Sequence, residues 1–156
     1  MTRINLIPVG YLLDQHLLSE YRELPMVMAS LSRSIDSPNW PNFKIPKHYT
    51  LNTGHVSFFY NKRIFLEDRW FRLIDELRRR GFDVKPEERL VQFHIYDLVP
   101  PDDEADVWAP RPVDVQVNLQ RILLRVSEKP DWYKYNRQPV TYSWYVKVLS
   151  KRGIIK

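Results

Sequence analysis

Asp14-Gln15-His16-Leu17-Leu18-Ser19-Glu20-Tyr21-Arg22-Glu23-Leu24-Pro25 is the stretch whose reading decides the fold. Leu17, Tyr21, Leu24, Met28 and Leu31 recur at spacings of four and three, which lays one apolar stripe along a helix. Asp14 suits an N-cap, so the helix is expected to start there. Pro25 has no N–H and is expected to kink or end it. The polar residues fall on two neighbouring lines, His16, Glu20 and Glu23 on one and Gln15, Ser19 and Arg22 on the next.

Two further helices are expected. One runs from about Lys62 to Arg80, with Leu66, Trp70, Leu73, Ile74 and Leu77 as its core stripe and Gly81 as its stop. Arg78, Arg79 and Arg80 lie in its last turn, where cations complement the helix dipole; contact with a polyanion is the equal alternative. The other starts near Pro112, a favourable first-turn residue, and buries Val115, Leu119, Ile122 and Val126. Its exposed stripe is expected to carry Asn118, Arg121 and Arg125. Residues 36–50, with Pro38, Pro41 and Pro46, read as an irregular loop, and Leu51 to Tyr60 as extended chain or the lead-in to a helix. Gln92 to Tyr96 is expected to be a short strand, and 140–149 another, from the alternation of Val140, Tyr142, Trp144, Val146 and Val148. The fold class is therefore mainly α, a single compact domain of about three helices with long irregular connections and a short C-terminal strand.

Composition narrows the function classes. The 156 residues suit one domain with its own core. No run of about twenty apolar residues exists, which argues against a membrane span, and no N-terminal apolar region suggests export. The absence of cysteine removes disulfides and thiolate chemistry, and fits a cytoplasmic protein. The four histidines show no metal-ligand spacing, and neither a Gly-rich phosphate loop nor a Gly-x-Ser-x-Gly elbow is present. The net charge of +5 is unevenly placed: residues 111–156 carry an excess of +7 and residues 1–110 an excess of −2. Such a basic last third suits either a polyanion-facing surface or a solvated tail.

Three groups of residues carry candidate chemistry. Thr2 follows Met1, and a small second residue lets the initiator be trimmed to leave a free α-amine. That amine has a pKa of about 8, so near neutral pH it is unprotonated far more often than an unperturbed lysine at about 10.4. Arg121 and Arg125, four apart, repel each other by a few tenths of a kcal/mol unless a phosphate backbone lies between them. Trp132, Tyr133, Lys134 and Tyr135 interleave aromatics with a cation, fit either to stack on bases and meet phosphate or to plug the end of the third helix, with Trp132 as the candidate plug.

The blocks Thr2-Arg3-Ile4-Asn5-Leu6, Asp14 to Leu17, Glu20 to Pro25, Gly54-His55-Val56, Phe58-Phe59-Tyr60, Arg80-Gly81-Phe82 and Pro130 to Tyr135 resemble the phage-type pyrimidine-dimer DNA glycosylases, also called phage endonuclease V. The likeness covers roughly residues 2–136, so residues 1–136 are taken as the glycosylase-like domain and 137–156 as an extension of unknown role. It implies that the Thr2 amine attacks the sugar of a damaged nucleotide and that Glu23 completes the chemistry. It also implies that Arg3, Gln15, His16, Arg22, Arg121, Arg125, Trp132, Tyr133 and Lys134 serve the DNA. The expected partner is damaged double-stranded DNA bearing a cyclobutane pyrimidine dimer, met by a monomer without metal or cofactor. The outcome would be glycosylase followed by abasic-site lyase action through an imine. A non-catalytic DNA-binding domain and the same chemistry on another damaged base are the competing readings. Met26 stands where the phage enzyme has an arginine, and Asn136-Arg137 where it has Tyr-Gly.

Overall fold

The stripe of Leu17, Tyr21, Leu24, Met28 and Leu31 is buried along a 22-residue helix, α1 (Asp14–Ile35), in a computed structural model that describes residues 4–89 and 91–155. α1 starts at Asp14 as expected, but Asp14 is not its cap, and of the two outcomes expected at Pro25, a kink or an end, the helix does not end there. Leu13 holds the N-cap position and Asp14 is the first helical residue. Its carboxylate is committed elsewhere, accepting from the N–H groups of Asn136 (3.0 Å) and Arg137 (2.7 Å) and pairing with Arg80 at 2.8 Å. At Pro25 the helix continues, because Val27, Met28 and Leu31 beyond it are as buried as Tyr21 and Leu24 before it. An internal proline costs about 3 kcal/mol, whereas each large apolar side chain buried contributes roughly 1.5–3 kcal/mol.

A short helix α2 (His55–Phe58) follows the loop region, then α3 (Arg63–Arg79), which makes the most extensive contact with α1. Tyr21 and Trp70 stack across that contact with centroids 5.0 Å apart. Gly81 ends α3 as expected: at φ 86° it takes the left-handed conformation, and Phe82 N–H donates back to Leu77 O at 3.0 Å. Arg80 serves neither the dipole nor an exposed surface. Its guanidinium is buried, bonded to Glu76, Asp14 and the carbonyls of Leu12 and Gly10, and it lies over the Tyr135 ring. The expected strand at Gln92–Tyr96 is instead part of a 3-10 stretch, Phe93–Leu98, held by Tyr96 O–H donating to Phe59 O at 2.7 Å.

After α4 (Asp103–Asp106), helix α5 (Pro112–Glu128) opens at Pro112 and buries Leu119, Ile122 and Val126. The one sheet among the described residues is a hairpin, β1 (Lys134–Tyr135) with β2 (Gln138–Pro139), turning at Asn136 (φ 51°) and Arg137 (φ 68°). Two consecutive left-handed residues are what a tight two-residue hairpin requires. Arg137 is there without glycine's freedom, at a cost of about 1–2 kcal/mol, and the Asp14 carboxylate that accepts both turn N–H groups holds it.

The strand expected over 140–149 is a helix, α6 (Tyr142–Lys151). Thr141 caps it, its hydroxyl accepting from Trp144 N–H at 3.1 Å. Tyr145 and Leu149, four apart, are buried in the common core, and the Tyr145 hydroxyl donates to Tyr11 O at 2.6 Å. This packing overrides the strand preference of the β-branched and aromatic residues.

Candidate active site

Residues Ile4–Ile7 are buried chain with no sheet partner, so side chains from elsewhere in the chain must satisfy their backbone. Ile4 N–H donates to His55 Nε2 at 2.8 Å, and Asn5 N–H to Glu20 Oε1 at 3.2 Å. Leu6 and Ile7 N–H both donate to Asn118 Oδ1, at 2.7 and 3.3 Å. The carbonyl of Ile4 accepts from Tyr49 O–H at 2.9 Å and that of Ile7 from Arg69 Nη1 at 2.7 Å. Four successive N–H groups are thus taken by α1, α2 and α5.

Behind this ladder the side chains bond to one another. Arg69 grips both oxygens of Glu20, Nε to Oε1 at 2.8 Å and Nη2 to Oε2 at 3.0 Å. Asn5 Nδ2 donates to Glu20 Oε2 at 3.1 Å, and Asn118 Nδ2 to Asn5 Oδ1 at 2.8 Å. A buried charge pair of this kind is tolerated only when its remaining lone pairs and protons find partners, and here they do. Glu20, aligned in sequence with His16 and Glu23, is therefore a structural acid. Asn118, expected on an exposed stripe with Arg121 and Arg125, is buried; it precedes Ile122 by four residues and so shares the core side of α5.

The ladder delivers the N-terminal segment to a cleft of about 310 Å³. Asn5, Gln15, His16, Ser19, Glu23, Arg121, Arg125, Trp132 and Tyr133 line it, with the edges of Glu20, Leu51, Asn118 and Ile122. Seven of the candidate site residues meet there: Gln15, His16, Glu23, Arg121, Arg125, Trp132 and Tyr133. Thr2 and Arg3 lie outside the described residues. Lys134 lines an adjoining groove with Gln15, Trp132 and Arg137. Arg22 is exposed on a separate hollow beside Met26, where the Arg89 guanidinium lies over the Tyr21 ring.

Several of these side chains are already engaged. The Gln15 amide bridges the aromatic segment, donating to Trp132 O at 2.7 Å and accepting from Lys134 N–H at 3.0 Å. Trp132, the candidate plug, is not the residue that fills that place. Tyr133 is the plug, buried and stacked on the His16 ring at 5.0 Å, while Trp132 is 54% exposed with the Lys129 ammonium over its ring. Burial and then the positive charge of Arg125 push His16 down to about 4, so its ring is neutral at neutral pH. Its Nδ1 has no hydrogen-bond partner among the described residues. Arg125 makes a loose surface contact with Glu128 at 3.5 Å. Among the described residues no cluster of three or more His, Cys, Asp or Glu could hold a metal ion, and no helix is long and apolar enough to cross a membrane.

Of the residues that support this cleft, Arg69 was not singled out in the sequence, Asn5 and His55 entered only within the family-like blocks, and Asn118 was expected on an exposed stripe. Three had left a signal: Asn5 interrupts an apolar run, Arg69 stands three after Leu66 and four before Leu73, and Asn118 occupies a core-side position of α5. A polar group set into an apolar stripe is a buried partner in waiting. Among known protein families, the model described as pyrimidine dimer DNA glycosylase matches residues 1–90, which take in Thr2, the ladder from Ile4 to Ile7, all of α1 and all of α3.

Proposed function

The chain belongs to the pyrimidine dimer DNA glycosylase family, and on that premise we propose that its reagent is the α-amine of Thr2, freed by removal of Met1, with Glu23 as its partner. The family makes this a DNA repair enzyme whose substrate is DNA carrying pyrimidine dimers. In the proposed sequence the amine nitrogen attacks C1′ of the 5′ nucleotide of a cyclobutane dimer, and the C1′–N1 bond breaks with its electron pair leaving on the base. The sugar ring opens, O4′ takes a proton, and C1′ becomes a protonated imine on Thr2. Glu23 first balances the cationic sugar and then removes a C2′ proton, whereupon the C3′–O bond breaks and the phosphate leaves. Water hydrolyses the imine and frees the enzyme.

One observation carries this reading: Asn5 and Glu23 share the wall of the same cleft. Thr2 lies three positions before Asn5, so the amine nitrogen is tethered within about 11 Å of the Asn5 nitrogen. Neutral His16 and the cations Arg121 and Arg125 on the same wall suit a phosphate-bearing ligand whose base is expelled. Lys134, exposed Trp132 and Arg22, together with Arg3, extend the proposed DNA-facing surface outward. The working unit in this reading is a monomer on damaged duplex.

Borohydride reduction on dimer-bearing duplex tests it, followed by peptide mapping. The expected adduct is at the α-nitrogen of Thr2, and a protein that retains Met1 should form none. Lys62 is a rival amine, since burial pushes it down to about 8, although its ammonium already donates to Phe58 O and lies over the Phe58 ring. An adduct at Lys62, or full trapping with the N-terminus blocked, would overturn the Thr2 assignment.

A further inference from the structure

His55 is buried and held between two main-chain groups of opposite character. Its Nε2 receives the Ile4 N–H at 2.8 Å, and its Nδ1 lies 2.6 Å from the Thr50 carbonyl oxygen. A peptide N–H can only donate and a carbonyl oxygen can only accept. Nε2 must therefore be bare and Nδ1 must carry the proton, which fixes one neutral tautomer. Tyr49 completes the grip: its hydroxyl donates to Ile4 O at 2.9 Å, and its ring meets the His55 ring edge-on with centroids 5.4 Å apart. Gly54, left-handed at φ 92°, makes the turn that brings His55 back under Thr50.

We propose that His55, through its bare Nε2, is a positioning residue for the Thr2 amine. The inference rests on the assignment of Thr2 as nucleophile. Asn5, Leu6 and Ile7 are fixed independently by Glu20 and Asn118, so the chain would be anchored without His55. What His55 adds is a hold on the Ile4 N–H, which among the described residues is the hydrogen-bonded group nearest in sequence to the reacting nitrogen. Two residues span at most about 7 Å, so the Ile4 peptide bounds how far the amine can lie from this anchor. Attack on C1′ needs the reacting atoms about 3–3.5 Å apart, and a misplacement of about 1 Å costs on the order of a hundred-fold in rate.

Two amide substitutions separate the two bonds of the ring. In His55→Asn the shorter amide can still donate to Thr50 O, but nothing reaches the Ile4 N–H. In His55→Gln the longer amide places an acceptor near the Nε2 position. With dimer-bearing duplex under single-turnover conditions, His55→Asn should slow borohydride-trapped imine formation by roughly a hundred-fold while DNA affinity stays unchanged. His55→Gln should recover to within about ten-fold of the parent protein, since it restores the acceptor but not the rigid ring. Nitrogen-15 NMR of the unaltered protein should show His55 protonated on Nδ1 and bare on Nε2. Equal trapping by folded Asn and Gln variants, a loss confined to DNA affinity, or a proton on Nε2 would each overturn the proposal. Should His55→Asn not fold, Tyr49→Phe, which removes the bond to Ile4 O, carries the test. Slower trapping at unchanged affinity supports the clamp, and parental trapping refutes it. Absence of a Thr2 adduct in the parent protein would sink both this proposal and the nucleophile assignment. A Thr2 adduct formed equally fast by the parent and His55→Asn sinks this one alone.

Discussion

His16 sits in the cleft wall against Tyr133, and burial followed by the Arg125 charge holds it near 4, below its ordinary value of 6.5. At pH 7 the ring is neutral in the folded chain and mostly neutral in the unfolded one. As the pH falls from 6.5 towards 4, the unfolded chain takes up a proton that the folded one refuses. Stability should therefore drain away over that window, by about 3 kcal/mol, the lowered pKa expressed as free energy. Urea titrations between pH 4 and 7 measure it, and in His16→Phe this part of the slope should vanish. An unchanged slope would show that the ring is not kept neutral by the fold. Glu23 poses a different question on the same wall. Glu23→Gln is nearly isosteric, so dimer-bearing DNA should bind with little change while strand cleavage falls by roughly 10²–10⁴-fold, the range for loss of a general base. Near-parental nicking by the folded variant would remove Glu23 from the chemistry.

α5 turns one side to the core through Asn118, Leu119, Ile122 and Val126 and offers Arg121 and Arg125 to the cleft. Reversing both arginines to Glu should weaken binding to damaged and undamaged duplex alike. Each phosphate that is no longer neutralised by its arginine should flatten the slope of log affinity against log salt by about 0.9. A folded double variant with the parental slope would mean that this side of α5 does not meet DNA. The long helices were legible in the sequence because each carries a complete apolar stripe: Leu17 to Leu31, Leu66 to Leu77, Val115 to Val126. α6 was not. Val140, Tyr142, Trp144, Val146 and Val148 alternate as strand residues do, and only the burial of Tyr145 and Leu149 shows that the period is four rather than two. The cleft was legible in part for a similar reason. His16, Glu23, Arg121 and Arg125 belong to well-marked helices, whereas the ladder that holds Ile4–Ile7 joins residues up to 112 positions apart, a separation no local pattern encodes.

In the whole molecule the two chain ends are bound together. Gln15 holds Trp132 and Lys134, Asp14 holds the hairpin turn, and Tyr145 of α6 bonds to Tyr11. Truncation after Pro139 would remove Tyr145 and Leu149 from the core, each contributing roughly 1.5–3 kcal/mol, so denaturant stability should fall by about 3–6 kcal/mol. All the cleft-lining residues precede that point, and the folded truncated protein should still nick dimer-bearing DNA. Loss of nicking at a temperature where it remains folded would assign α6 a part in the reaction. The same long-range ties bear on how the enzyme is made. Asn118, which fixes Leu6 and Ile7, leaves the ribosome more than a hundred residues after they do. At ordinary synthesis rates that is on the order of ten seconds. Throughout that interval Leu6 and Ile7 lack their anchor on α5, which in the proposed reading gives an aminopeptidase time to remove Met1 before they are fixed. On the proposed assignment, the order of translation lets the Thr2 amine be unmasked before Leu6 and Ile7 are anchored, and a chain arrested before Asn118 would lack the residue that anchors them.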